Sequence, residues 1–435
     1  MISKKLYFFY SLLLVFNIAF GQLKLDTYAL EGVTIIDANH QKPLENQTIL
    51  IKGNLISRIY PTGSVTLPDS VTVIKLYGKF VIPGLIDTHV HLATNPLGED
   101  ERPITENVLN KMLYSGITSV RDMAGDARIL MGLSRDASVD DITSPNIYYS
   151  ALMAGPEFFK TDQRAATSTR GGTSGKMPYM QTITDSTNMV LAIAEAKCTG
   201  AKGIKLYEDL SADLTKKVVK EAIKQQMRVW AHATLFPAKP YDVIQAGVNV
   251  ISHADMLIFA SVGSMDSVPV EWRRKKQSKE FWDKEVDRIK LGELFDLMKN
   301  KNTILDATIS ANYYLVEQKP QLPIFDSRFE LAKRITAKAY KAGVKICSGT
   351  DTDQKYFVQE EMKLLVKECS FNAFDAIVAA TKNSAEAIGI QDKRGTIEEN
   401  KIADMVLLDK NPVEDIKNID AVNMVIKSGR LYKRN

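Results

Sequence analysis

Between Leu85 and Ser348 eight short apolar runs recur, and this alternation constrains the fold more than any other feature. The runs are Leu85–His91, Thr118–Arg121, Ile147–Ser150, Gly203–Leu206, Arg228–His232, Asn249–His253, Thr303–Ala307 and Val344–Ser348. Helical patterns separate most of them, over Thr105–Tyr114, Ser186–Cys198, Asp213–Gln226 and Arg328–Ala342. Strand-like runs alternating with amphipathic helices are the pattern of βα units around a parallel sheet. Eight such units close a (β/α)8 TIM barrel. The spacers Ala154–Thr184 and Met256–Asp287 are too long for simple connections, and long loops on the active face of this fold carry substrate contacts or form covers.

The flanks have a different texture. Upstream, Val33–Ile36, Thr48–Lys52 and Val71–Leu76 alternate apolar and polar residues and stop at turn signals such as Gly53-Asn54 and Gly78, which reads as a small antiparallel β unit. Downstream, Gly395-Thr396-Ile397, Asp404–Leu408 and Val422–Ile426 return to the same pattern. The prediction is an α/β chain in which residues 84–388 form the barrel, while residues 22–83 and 389–435 build a small β-sandwich from both chain ends. Residues 1–21 read as a secretory signal peptide: Lys4 and Lys5, an apolar run from Leu6 to Phe20, then Ala19-Phe20-Gly21. That run is shorter than the ~20 residues of a membrane-spanning helix. Cleavage after Gly21 would leave Gln22 first and a protein exported to the periplasm or medium, with no membrane attachment; the alternative is an uncleaved anchor.

Composition removes several classes. The 435 residues are 45% hydrophobic and 25% charged, with a formal charge of +4 that falls to +2 without Lys4 and Lys5. So weak a balance makes no electrostatic case for nucleic acid, and the dense basic run Arg273–Lys276 has Glu280, Asp283 and Glu285 close behind it. The remaining partner is a small-molecule substrate, with a homo-oligomer left open. Cys198, Cys347 and Cys369 have no close pair and fit neither a disulfide framework nor a cysteine-rich zinc site. A metal would have to be held by histidines and carboxylates.

Those residues are placed for it. His89-Val90-His91 ends the first barrel strand, and residues two apart on a strand point the same way. Of five histidines, His89, His91, His232 and His253 fall at the C-terminal ends of strands 1, 5 and 6, the end where barrel enzymes place their chemistry. His40, among polar neighbours, reads as surface. Asp351 follows the last strand through Ser348-Gly349-Thr350. Lys205 lies in the apolar fourth strand, where a bare ammonium is costly to bury. Singly, Asp351 reads equally well as a helix cap and Lys205 as a side chain reaching the rim; beside four positioned histidines both read as site residues.

The segment Val81-Ile82-Pro83-Gly84-Leu85-Ile86-Asp87-Thr88-His89-Val90-His91-Leu92 resembles the signature of the amidohydrolase superfamily, in its imidazolonepropionase-like and prolidase-like branch. Gly395-Thr396-Ile397, Lys401–Leu408 and Asn411-Pro412 resemble the same group, so the likeness spans essentially the whole mature chain. The resemblance implies two divalent metals, usually Zn2+. His89, His91 and Asp351 would hold one and His232 and His253 the other, with Lys205 bridging them as N6-carboxylysine. Ser252-His253-Ala254 stands where many relatives have Glu-His-Gly, so the ligand is kept in a different setting.

The chemistry this implies is attack of a metal-bridging hydroxide on a carbonyl carbon, with Asp351 as general base. The expected enzyme is a metal-dependent hydrolase of C–N bonds in an amide, dipeptide or cyclic amide. A lactonase, esterase or phosphotriesterase could use the same groups, and so could a metal-retaining binding protein without turnover. Tyr207, two residues after Lys205, is a candidate oxyanion donor or a packing residue. Arg121 is a candidate anchor for a substrate carboxylate or a structural pair with Asp122.

Overall fold

The computed structural model describes residues 26–94, 102–261, 290–352 and 357–433. The signal segment, the basic run Arg273–Lys276 and most of the spacer expected at Met256–Asp287 lie outside them.

The strands of the first sheet are β1 (Thr27–Ile35), β2 (Leu44–Lys52), β3 (Leu55–Pro61), β4 (Thr72–Lys75) and β5 (Phe80–Pro83). The barrel follows with β6 (Leu85–Val90), β7 (Ile117–Asp122), β8 (Asn146–Ala154), β9 (Lys176–Met177), β10 (Met180–Thr182), β11 (Gly203–Leu206), β12 (Arg228–His232), β13 (Val250–Ser252), β14 (Ile304–Asp306) and β15 (Ile346–Cys347). The chain returns to the first sheet as β16 (Met405–Leu408), β17 (Val422–Lys427) and β18 (Arg430–Lys433), giving the order β18-β17-β16-β5-β1-β2-β3, with β4 also on β1.

Both chain ends thus share one sheet. Leu407 lies opposite Val81 across β16 and β5, and Val81, Met405 and Leu407 enter a core with Leu30, Ile49 and Ile426 that is separate from that of the barrel. One expectation is corrected. The unit is not purely antiparallel, because β4 and β5 run parallel to β1. β5 must enter β6 directly through Gly84, and a Cβ there would sit 2.2 Å from Thr118 Oγ1.

Strands β6, β7, β8, β11, β12, β13, β14 and β15 pair in parallel in that order. The seam between last and first is closed by two backbone bonds, Thr88 N–H to Ser348 O at 2.9 Å and Asp351 N–H to His89 O at 2.9 Å. All six residues of β6 and of β7 are buried, as strands covered on both faces must be. The helices begin where side chains cap them. Asn188 accepts from Leu191 N–H, so that helix starts at Met189 rather than Ser186, and Ser211 caps the helix that starts at Ala212. Below the mouth the interior is filled, with Trp230 lying over Gly203, where a Cβ would come within 2.8 Å of the indole. The spacer at Ala154–Thr184 is ordered into short helices, Pro156–Thr161 and Gln163–Thr167, and the β9–β10 hairpin, whose second strand pairs with β8.

Candidate metal centre

Four histidines meet at the C-terminal mouth because their strands are neighbours around the barrel and the closing seam brings β15 against β6. Ring centroids are 5.4 Å apart for His89 and His91, 5.1 Å for His89 and His253, and 4.8 Å for His232 and His253. Asp351 enters from the other side of the seam. Its Oδ1 is 3.0 Å from His91 Nε2 and 3.8 Å from His89 Nε2, and its Oδ2 is 3.8 Å from His253 Nδ1. Asp351 and His253 both have left-handed backbone, at φ 50° and 74°, a conformation that costs a non-glycine residue free energy and recurs at functional sites. His40 stays outside, exposed and paired with Asp37.

A ring of buried polar groups fixes these side chains. His89 Nδ1 lies 2.7 Å from Asp306 Oδ2, which assigns its proton to that bond and leaves Nε2 facing Asp351. His253 Nδ1 is 3.0 Å from Thr308 Oγ1. Asp87 accepts from the backbone N–H groups of His89 and Thr350 and from the Thr350 hydroxyl, tying the His-x-His strand to the Asp351 loop. Asp122 accepts from Leu92 N–H and Gly125 N–H and holds the chain after His91. Gly349 passes so close that a Cβ would come within 2.5 Å of Asp306 Oδ1 and 2.6 Å of His89 Cβ.

Lys205 is fully buried. Its Nζ donates to Ser252 Oγ at 2.9 Å, and that hydroxyl donates onward to Asp306 Oδ2 at 3.0 Å. Ser252 thus relays Lys205 to Asp306. Burial pushes the Lys205 amine down to about 7. Burial likewise keeps His253 and His232 neutral, the first down to about 3. For Asp351 burial pulls upward, but the imidazoles of His89, His91 and His253 outweigh it and hold the carboxyl well below its usual range. Asp306 is held at about 2 by His89, Arg121 and Lys205 against its own burial.

The donor set fits a divalent metal. Nitrogen and oxygen atoms of His89, His253 and Asp351 lie within 4.8 Å of one another, neutral imidazole and ionised carboxylate are the forms that ligate, and His232 Nδ1 is buried with no hydrogen-bond partner among the described residues. A buried nitrogen without a partner calls for an explanation, and a bound ion is one. His89, His91, Lys205, His232, His253 and Asp351, named from sequence, all converge here.

Two sequence readings change. Arg121 is fully buried inside the barrel: Nε donates to Thr88 O at 2.6 Å, Nη2 is 3.5 Å from Asp306 Oδ2, and the guanidinium lies 4.7 Å over the Trp230 ring. Sealed from solvent, it is placed to position Asp306 rather than to anchor a substrate carboxylate. Nor does it pair with Asp122. Tyr207 does line the cavity and its ring lies 4.4 Å from His232, but its hydroxyl donates to Met123 O at 2.7 Å. The one proton an oxyanion would need is engaged. Asp306 and Thr308 were not singled out from sequence, and Ser252 was noted only as a changed neighbour of His253. Asp306 carried a signal, a carboxylate ending an apolar strand, which is the same misfit that marks Lys205.

A sequence profile of the amidohydrolase family matches residues 80–432. The chain is 26% identical to ochratoxinase of Aspergillus niger over 447 residues, covering 90% of this chain and 84% of that protein. It is 23% identical to imidazolonepropionase of Picrophilus torridus over 408 residues, covering 90% and 92%. Among solved structures, a Xaa-Pro dipeptidase with methionine bound in its active site superposes with a TM-score of 0.74 at 24% identity, covering 94% of this chain and all of that one. The ochratoxinase structure gives 0.73 at 21% identity, covering 94% and 96%.

Proposed function

Because the chain belongs to the amidohydrolase family, we propose that it is an exported enzyme cleaving a C–N bond, in an amide, dipeptide or cyclic amide, at the His89–His91–His232–His253–Asp351 centre. The observation that carries this reading is the convergence of those side chains, with His232 Nδ1 left open beside them. The relatives named ochratoxinase and imidazolonepropionase support it.

Two divalent ions, zinc by the chemistry of the donors, would be held by His89, His91 and Asp351 and by His232 and His253; when bound they supply an acidified water and a Lewis acid for the carbonyl oxygen. The protein's own part is proton transfer and positioning. Asp351, ionised and facing the histidines, takes the proton of the attacking water as the new C–O bond forms. It returns that proton to the nitrogen as the C–N bond breaks. Asp306 keeps His89 in one tautomer throughout. Lys205, once its uncharged amine had added to CO2 and lost one proton to become a carbamate, would offer carboxylate oxygens as further ligands. Its burial with no carboxylate in hydrogen-bond reach among the described residues supports this, because an ammonium there would repel both cations.

The deciding experiment is hydrolysis by the zinc-loaded protein across amides, dipeptides, cyclic amides, lactones and phosphotriesters. At least one C–N substrate should turn over fastest; faster cleavage of a lactone or phosphotriester than of every amide reverses the reading. Mass and metal analysis checks the bridge: Lys205→Ala should lose metal, and unmodified Lys205 with a single tight metal would mean a mononuclear enzyme. Export is checked by N-terminal sequencing, which should begin at or near Gln22; intact Met1 on membrane-bound protein would overturn it.

A further inference from the structure

The histidines occupy one end of the barrel. At the other end, where β8 and β11 begin, the two-ended sheet meets the barrel around a cleft of about 620 Å³. The sheet side supplies the β2–β3 turn at Gly53-Asn54, Arg394 and the β17–β18 turn at Ser428–Arg430. The barrel side supplies the end of the helix Ala127–Ser138 with Asp140 after it, the start of β8 at Asn146–Tyr148, and Lys202 just before β11. A cleft of that size is large enough for a small organic molecule, and junctions between structural units are where such sites gather.

Its walls hold more cations than carboxylates. Lys202, Arg394 and Arg430 line the cleft, and Asp140 is the one carboxylate among the lining residues. That carboxylate is already engaged. Arg430 Nε lies 3.0 Å from its Oδ2, and the Nζ of buried Lys427 lies 3.3 Å from its Oδ1. Arg394, nine-tenths buried, pairs with Asp404, whose other oxygen accepts from Ser428 N–H at 2.6 Å. Four cations, Lys202, Arg394, Lys427 and Arg430, therefore stand against two carboxylates, Asp140 and Asp404, an excess of two positive charges. Lys202 has no ion-pair or hydrogen-bond partner among the described residues. Among those residues the Arg430 Nη nitrogens, the Asn54 amide and the Ser428 hydroxyl have no hydrogen-bond partner either. Unmatched positive charge and open donors, gathered from both sides of one cleft, are the chemistry that receives an oxyanion.

We infer that this cleft is a second ligand site, separate from the histidine centre, for a small organic dianion, either a phosphate ester or a dicarboxylate. Arg430 takes an oxyanion on its open Nη edge, Lys202 supplies the opposing charge from the barrel side, and Asn54 and Ser428 donate to the remaining oxygens. Arg394 stays with Asp404 and adds its field. Two negative charges match the excess of two. Because the ligand touches the two-ended sheet and the barrel at once, it binds the folded chain alone and stabilises it by mass action. The inference asks nothing of the metal centre.

The test follows calorimetric binding and melting temperature of the full, metal-loaded protein at constant ionic strength, with glycerol phosphate, succinate and uncharged glycerol as probes. At least one dianion should bind at millimolar concentration or below and raise the melting temperature, while glycerol does neither. Which dianion binds decides between phosphate and carboxylate. Lys202→Gln and Arg430→Gln should each weaken binding about 10-fold, the loss of one charge-assisted contact, and the double variant should abolish the shift. Metal content should stay at the wild-type level throughout, because neither side chain is near the histidines. Arg430→Gln leaves Asp140 paired with Lys427; if the double variant fails to fold, Lys202→Gln alone decides, since that side chain holds no partner. A dianion bound as tightly by Lys202→Gln as by the wild type lies elsewhere, for instance at the metal centre, and overturns the inference. So does a wild type that binds neither dianion, or binds glycerol equally well.

Discussion

In the proposed reaction Asp351 would combine two demands in one side chain. Its carboxylate would have to stay ionised to face a metal and still accept a proton during turnover. Three nearby imidazoles keep it ionised against its burial, and its left-handed backbone aims both oxygens inward. Asp351→Asn keeps the shape and one ligating oxygen but cannot take a proton. We expect kcat to fall about 10²–10⁴-fold with the fold and most of the metal retained, measured by kinetics beside metal analysis; an unchanged kcat would refute the base assignment. Asp306 works one step removed. It orients His89, accepts from Ser252 and is set by Arg121. Asp306→Asn should weaken metal binding about 10–100-fold, the usual effect of losing such an outer partner, read by competition with a chelator; unchanged affinity would make Asp306 a packing residue.

Among the elements, the helix Val358–Cys369 reaches the site without touching it. Buried Glu361 in its first turn accepts from Ile309 N–H at 3.1 Å and Ser310 N–H at 2.7 Å, at the start of the helix Ile309–Gln318. Thr308, which holds His253, immediately precedes that start, and Ser310 Oγ donates to Thr350 O beside Asp351. Glu361 thus braces two ligand loops at once. Burial raises its carboxyl from 4.5 to about 8. The folded chain therefore keeps a proton there up to about pH 8, while the unfolded chain loses it near 4.5. Between those values the folded state binds more protons, so this group's contribution to stability is present in acid and declines as pH rises. Glu361→Gln carries no titrating proton, and its melting temperature should fall less between about pH 5 and about pH 8 than that of the wild type. Parallel curves would show that Glu361 does not titrate in this window.

At the scale of the molecule, the barrel closes through two backbone bonds that flank the ligands, from Thr88 and Asp351. The seam and the histidine cluster are the same place, so ions bound there would clamp the last strand to the first. Ligand binding to the folded state alone stabilises by mass action, about 4 kcal/mol at a thousandfold excess over Kd. Dialysis against a chelator should lower the melting temperature as well as abolish activity, and zinc should restore both. A melting temperature indifferent to metal would mean that the seam holds without it. The two-ended sheet makes a second closure, since β16 from the C-terminal part pairs with β5 just before the barrel begins.

What could be read from the chain alone is what depends on short range. Apolar runs mark strands, two-residue alternation turns His89 and His91 to one side, and the ends of strands 1, 4, 5, 6 and 8 name the six side chains that converge. The amidohydrolase likeness of residues 81–92 agrees with the family profile over residues 80–432. What only the tertiary structure decided is who meets whom across the barrel, because those contacts join residues far apart in the chain. Asp306 reaches His89 over 217 positions, and Ser252 reaches Lys205 over 47. Arg121 was misplaced for the same reason. Alternation says that it points inward, but its layer depends on the stagger of all eight strands, and it falls beside Trp230 beneath the mouth.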